Sequence, residues 1–247
     1  MKKTKRTQRP LLSIMILISG LFLLSCNIGG SHVIRGDGNV ISTVHPVAHF
    51  ERIDITGVFD VILKSGNEPV VILKTDENLQ ELISIDVRGD ALYVGPTEDA
   101  IYNHSKMELH ITYPALEQIH VGGACKLRAE NPVVADRLAF QVSGAADIEL
   151  ELEVGDLQTR VSGAGNLNFS GEAENHIIML SGASNLRAEH LKSKDTRISM
   201  SGAGSAHVYS SDRLQASLSG IGAIRYYGDP KQIQVDKSGL GSIKAAD

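Results

Sequence analysis

The sequence predicts an all-β chain, a right-handed parallel β-helix or β-solenoid with coils of about 19 residues closed at Ser-Gly corners. Three observations carry this reading. A Ser-Gly pair recurs at near-constant spacing, apolar residues alternate with polar ones on both sides of it, and the composition lacks bulky aromatics. A fixed period of this size is the mark of a repeat architecture in which each unit packs only on its neighbours.

The pairs are Gly122-Gly123, Ser143-Gly144, Ser162-Gly163, Ser181-Gly182, Ser201-Gly202, Ser219-Gly220 and Ser238-Gly239, in steps of 21, 19, 19, 20, 18 and 19 residues. Aligned on the first residue of each pair, the copies separate into columns. One residue before it stand Val121, Val142, Val161, Leu180, Met200, Leu218 and Lys237. Three before it stand Ile119, Phe140, Thr159, Ile178, Ile198, Ala216 and Val235. Five after it stand Leu127, Ile148, Leu167, Leu186, Ala206, Ile224 and Ile243. This alternation is the strand period of two. Each repeat therefore reads as strand, corner, strand and a looser return. A corner Gly is expected to supply backbone angles closed to other residues and to let coils approach closely. Coils rising about 4.8 Å each would make a rod on the order of 33 Å long.

The N-terminal half is a degenerate version of the same unit. Ile53, Ile55, Thr56-Gly57, Val58, Val61 and Leu63 match the columns, with Gly57 at the corner. Further strands are expected at Val70–Leu73, Ile83–Val87, Leu92–Val94 and Met107–Thr112, with a short helical turn over Asp76–Leu82. Irregular coils at one end suit a cap over the open core. Residues 46–247 form one domain, preceded by a tether and first strand over 26–45.

Composition agrees. Hydrophobic residues are 42% and charged ones 21%, so the chain is globular, but aromatics are 4%, Trp is absent and Gly numbers 24. Val, Ile, Leu and Ala must fill the core, which suits thin, repetitive β structure.

Residues 1–25 read as a lipoprotein signal peptide. Lys2, Lys3, Lys5, Arg6 and Arg9 precede the apolar run Leu11–Leu24, and Leu23-Leu24-Ser25-Cys26 resembles a lipobox. Lipidated at Cys26, the mature chain would be anchored by two or more acyl chains. Asn27 after the cysteine resembles the pattern for passage to the outer membrane, and leaves open whether the protein faces the periplasm or the outside. Removing the five cations leaves 19 Lys+Arg against 29 Asp+Glu, a mature charge of −10. That balance disfavours nucleic acid as a partner. Cys125 is then without a disulfide partner and reads as a small residue in β structure.

Gly36-Asp37-Gly38-Asn39-Val40, followed by His49-Phe50-Glu51-Arg52-Ile53-Asp54-Ile55-Thr56-Gly57-Val58-Phe59-Asp60-Val61, resembles the opening of the head GIN-domain family of autotransporter adhesin heads. The Asp76-Glu77-Asn78-Leu79 turn and the repeated Ser-Gly-Ala corners match that family too. The resemblance covers nearly all of the mature chain. It implies a pectate-lyase-like β-helix with no catalytic residues carried over, a role in adhesion, and a lipoprotein of Bacteroidetes-type envelopes.

Catalytic signatures are missing from the sequence: there is no HExxH, GxSxG, P-loop, CxxC or GxGxxG. The nine His are scattered, and no metal site or cofactor is expected. The acidic strand Asp147, Glu149, Glu151, Glu153 stacks on Asn166, Asn168 and Ser170, so it reads as a solvated face rather than a Ca²⁺ site. Asp147, Asn166 and Asn185 share a column and are either an inter-coil ladder or exposed polar residues. Arg35-Gly36-Asp37 spells an integrin-type tripeptide at a Gly-rich turn.

One outward feature points to binding. Six residues after the corner, successive coils carry Arg187, His207, Arg225 and Lys244, with Tyr209 and Tyr227 two residues further on and Glu189 just before them. Stacked cations repel unless something anionic offsets them, and Tyr with Arg is favoured at binding surfaces. An acidic glycan or another envelope protein would fit. The function expected is therefore a non-catalytic envelope lipoprotein acting in adhesion, surface display or scaffolding. The alternatives are a polysaccharide-lyase-like β-helix enzyme and a periplasmic protein–protein interaction module. Self-assembly through the solenoid ends is opposed by Lys237, Lys244 and Asp247 at the last coil. The oligomeric state is not set by the sequence.

Overall fold

The computed structural model describes residues 33–98 and 100–246. The expected signal peptide and Cys26 lie outside the described residues. From the N-terminus come β1 (Val33–Arg35) and β2 (Val40–Pro46), then the first coil as β3 (Arg52–Ile55) and β4 (Val58–Ser65). An excursion follows through β5 (Val70–Asp76), a 3-10 turn over Glu77–Leu82, β6 (Ile83–Arg88), β7 (Ala91–Pro96), β8 (Ile101–Asn103) and β9 (Met107–Tyr113). The regular stack holds β10 (Gln118–Val121), β11 (Ala124–Ala129), β12 (Val133–Val142), β13 (Ala145–Val161), β14 (Ala164–Leu180) and β15 (Ala183–Met200). It ends in β16 (Ala203–Tyr209), β17 (Arg213–Leu218), β18 (Ile221–Tyr227), β19 (Gln232–Lys237) and β20 (Leu240–Ala245).

The stacked parallel strands make a β-solenoid of about 7 turns with about 19-residue spacing. Coil pairs with coil in the register the repeat predicts. Ile119 stands opposite Phe140, Ile148 opposite Leu167 and Ile224 opposite Ile243. The first coil joins the same columns: Ile53 pairs with Ile119, Ile55 with Val121, and Val61 with Leu127. Inward side chains are buried almost completely, and Phe140 meets Phe169 edge to face with centroids 5.7 Å apart. The 20-residue step is absorbed by a bulge in β15, where the register with β14 shifts between Asn168 and Ser170.

The corners explain their own composition. Each corner carbonyl accepts from the next coil, as Gly144 O does from Ala164 N at 2.9 Å and Gly163 O from Ala183 N at 3.1 Å. A Cβ on Gly163 would overlap the carbonyl oxygen of Gly144, and the same clash repeats from Gly123 to Gly239. Close approach is thus the whole requirement in the regular stack. The expectation of unusual backbone angles holds only at Gly57, with φ of 108°; none of the later corner glycines has positive φ.

The N-terminal end departs from coiled geometry. Strand β7 runs parallel beside β3 and β9 parallel beside β4, so the excursion doubles back beneath the first coil before the chain climbs to β10. Strand β6 then pairs antiparallel with β7, and β5 antiparallel with β9. Strand β2 pairs antiparallel with β5 from Val40–Asp76 to Pro46–Val70 and so joins the sheet. The 3-10 turn lays Leu79 over the end of the core with no exposure.

Gly163→Ala is expected to destabilise the fold by about 3 kcal/mol, the upper end for overpacking, since a backbone oxygen cannot rotate away. Ser162→Ala, which loses only a long contact to Val142 O at 3.4 Å, should cost well under half of that. Urea unfolding of both variants gives the comparison.

Candidate functional site

The face formed by the strands after the corner carries the only column of stacked cations and tyrosines found among the described residues. Arg187 stands opposite His207, His207 opposite Arg225, and Arg225 opposite Lys244. Tyr209 stands opposite Tyr227. Outward positions two residues apart share a face, so tyrosines and cations project to the same side. The His207 and Tyr227 rings lie 5.9 Å apart, and the Tyr227 hydroxyl is 3.5 Å from His207 Nδ1.

Glu189 owes its place to the bulge in β15, a device that re-aims side chains. Its carboxylate reaches to 3.8 Å from His207 Nδ1, with side chains 20% and 26% exposed. Glu189 Oε2 is buried without a hydrogen-bond partner. Local pairing therefore engages His207 alone. Arg187 and Arg225 are exposed and have no carboxylate partner among the described residues. On the other side of Tyr209, the Lys192 ammonium sits 4.0 Å from the ring centroid. Tyr209 and Lys192 border a groove of about 1160 Å³ whose remaining walls include Glu151, Glu153 and Glu172.

The remaining sequence features resolve into structure. Asn185 Nδ2 donates to Asn166 Oδ1 at 3.2 Å and Ser205 Oγ to Asn185 Oδ1 at 2.9 Å, so the column is a side-chain ladder from Asn166 to Ser205, and Asp147 takes no part in it. The acidic strand stacks on Asn166, Asn168 and Ser170, and only Glu153 meets another carboxylate, Glu172. No group of three or more His, Cys, Asp or Glu side chains able to hold a metal occurs among the described residues. Cys125 is buried, and burial pushes its thiol up to about 11.

Asp76, read in the sequence only as the start of a turn, organises the N-terminal cap. Its carboxylate is fully buried and accepts from Gly38 N at 2.8 Å, Ser105 N at 2.8 Å and Ser105 Oγ at 2.9 Å. Burial opposes ionisation, but the bonds from Ser105 and Gly38 outweigh it and hold the carboxyl below its usual range. Arg35-Gly36-Asp37 is part of this construction. Asp37 Oδ1 accepts from Asn39 N, and Arg35 O from Asn78 Nδ2, so the tripeptide is occupied in a structural turn. The available signal was the Gly-Asp-Gly-Asn run facing the Asp76-Glu77-Asn78 turn, which sequence alone does not bring together.

The cations and tyrosines thus lie in register along one face of the stacked coils. The chain belongs to the family described as "Putative auto-transporter adhesin, head GIN domain", which it matches over residues 49–230. Among solved structures it is similar to a putative adhesin from Bacteroides fragilis at 24% identity and a TM-score of 0.81, covering 86% of this chain and 100% of that one. A putative adhesin from Parabacteroides merdae aligns at 21% identity and a TM-score of 0.69, covering 88% and 100%. A putative lipid binding protein from Parabacteroides distasonis aligns at 19% identity and a TM-score of 0.69, covering 87% and 100%. At these identities the likeness shows a shared fold. No curated protein matches the chain.

His176 gives the domain a measurable acid sensitivity. It stands in a column with Leu157 and Thr196, fully buried, its Nε2 2.9 Å from Thr159 Oγ1. Burial pushes its imidazole down from 6.5 to about 3. The unfolded chain therefore binds a proton that the folded chain refuses, and stability falls by about 1.4 kcal/mol per pH unit from pH 6.5 down towards 3. The contribution of Asp76 is lost only below that of ordinary carboxylates. His176→Leu should flatten the decline between pH 6.5 and 4, at a loss of about 1–3 kcal/mol near pH 8 from the unpaired Thr159 hydroxyl. Unfolding titrations across that range measure both.

Proposed function

We propose that this protein is a non-catalytic lipoprotein of the cell envelope, anchored through acyl chains on Cys26, whose solenoid serves as an adhesion and surface-display module. The observation that carries the binding part is the in-register cation column with two exposed arginines lacking carboxylate partners, flanked by stacked Tyr209 and Tyr227. Cations held about 4.8 Å apart by the coil spacing repel, and a polyanion threaded along them relieves that repulsion. Tyrosine faces beside them offer flat surfaces for sugar rings. The partner this chemistry fits is an acidic glycan running parallel to the solenoid axis. Membership of an adhesin-head family supports placement at the envelope and an adhesive role.

Binding of the purified protein to acidic polysaccharides, measured by surface plasmon resonance, should weaken at least tenfold in Arg187→Ala/Arg225→Ala and in Tyr209→Ala/Tyr227→Ala, and should fall steeply with added salt. Unchanged binding in both double variants removes the glycan reading. Capture of an envelope protein through the same residues, with no polysaccharide bound, replaces it by a protein partner. Cleavage of the polysaccharide during the assay would instead establish a lyase.

The anchor has its own test. Cys26→Ala expressed in a bacterium fed labelled palmitate should lose the label and leave the membrane fraction. Retention of both would remove the lipoprotein assignment.

A further inference from the structure

The two ends of the solenoid are finished differently. At the N-terminal end Leu79 and the antiparallel strands close the core. At the other end β19 pairs only with β17, and β20 only with β18, so each shows a free hydrogen-bonding edge among the described residues. Every residue of β19 is exposed. Ile233 and Val235 point along the core columns of Leu214 and Ala216, yet are 50% and 54% exposed, with no coil stacked on them among the described residues. Ile221 and Leu240, in the outward column of Ala183 and Ala203, are also exposed, at 64% and 78%.

An edge of alternating polarity with exposed core positions accepts another strand. In Lys237 the end carries one feature that does not suit such pairing. It occupies the column filled by Val121, Val142, Val161, Leu180, Met200 and Leu218 in earlier coils. It stacks directly on buried Leu218, and its ammonium crosses the open end to Gly241 O at 3.2 Å. We propose that Lys237 guards the open end of the solenoid against end-to-end pairing with a second copy of the chain.

The register of such pairing shows why this residue is effective. Two ends related by a twofold axis bring β19 against itself antiparallel, and core-facing residues stay together only if the axis passes through a residue. Centred on Val235, the pairing sets Gln234 opposite Asp236, Val235 opposite its mate, and Lys237 opposite Ile233. Centred on Gln234, it sets Ile233 opposite Val235, and Lys237 opposite Lys231. The first buries two ammonium groups against isoleucine, and the second opposes like charges. Both are unfavourable, whereas the rest of the edge is self-complementary. This inference is independent of the glycan reading.

The test is sedimentation velocity on the purified protein over a wide concentration range. Wild type is expected to remain monomeric, and Lys237→Met, which keeps chain length and removes the charge, to self-associate at least tenfold more tightly. Adding Val235→Lys to K237M should return the monomer, tying the association to this end. A wild type that already pairs through β19, a folded K237M that stays monomeric, or a K237M/V235K variant that still associates would each overturn the proposal. Far-ultraviolet circular dichroism of each variant reports whether it is folded.

Discussion

Coil stacking in this protein rests on the contact between a corner glycine and the carbonyl of the corner before it. That carbonyl accepts a hydrogen bond from the strand that follows the next corner, as Gly144 O does from Ala164 N, so the corner belongs to the backbone ladder rather than interrupting it. Any Cβ at Gly163 would occupy the space of the same oxygen. With the corners in contact, both flanking strands fall into register over their whole length. The core columns then follow without further instruction, since residues at equal distance from the corner must stack. Small deviations are taken up far from the corner, as the bulge near Glu189 and the short return through Ser210 show.

This explains what the sequence made legible. Spacing between Ser-Gly pairs reports directly on the one contact that sets the register. The stack, its columns, the Asn166–Asn185 ladder and the alignment of Arg187, His207, Arg225 and Lys244 could therefore be read from residue numbers alone. Even the first coil, separated from the second by the whole excursion, was visible through Thr56-Gly57. The strands and helical turn of the excursion were legible too, but not their neighbours. Strands such as Val70–Asp76 and Ile83–Arg88 show alternation, but alternation identifies a face and not a neighbour. Only the corner contact fixes neighbours in this fold, and these strands lack it. Their antiparallel pairing and their position beneath the first coil came from packing. Asp76 was hidden for the same reason: its partners Gly38 and Ser105 stand 38 and 29 residues away with no repeat to relate them.

The same rule separates structure from function along each coil. Inward positions are mostly apolar, with Thr159 and His176 admitted as a hydrogen-bonded pair and Ser193, Thr196 and Ser210 as a second hydrogen-bonded group. Outward positions carry no such requirement, so chemistry that repeats there from coil to coil needs another source. Part of it is local. The Asn column satisfies itself, and Asp195 with Arg213 and Asp156 with Arg137 are ion pairs between adjacent coils. Such pairs place opposite charges in one column, which the coil spacing rewards.

The cation column breaks that pattern, and the break is informative. Opposite charges or amides share several other columns, with Glu153 beside Glu172 and Asp60 beside Glu108 as exceptions, whereas Arg187, His207, Arg225 and Lys244 follow one another with Glu189 engaging His207 alone. Exposed like charges at this spacing repel by roughly 1 kcal/mol per pair in water. That cost falls on Arg225 and Lys244, the adjacent pair of the column that carries two permanent charges. The polyanionic ligand proposed above would convert that repulsion into an attraction, and it would gain most where the cations are evenly spaced, a regularity that the glycine corners enforce.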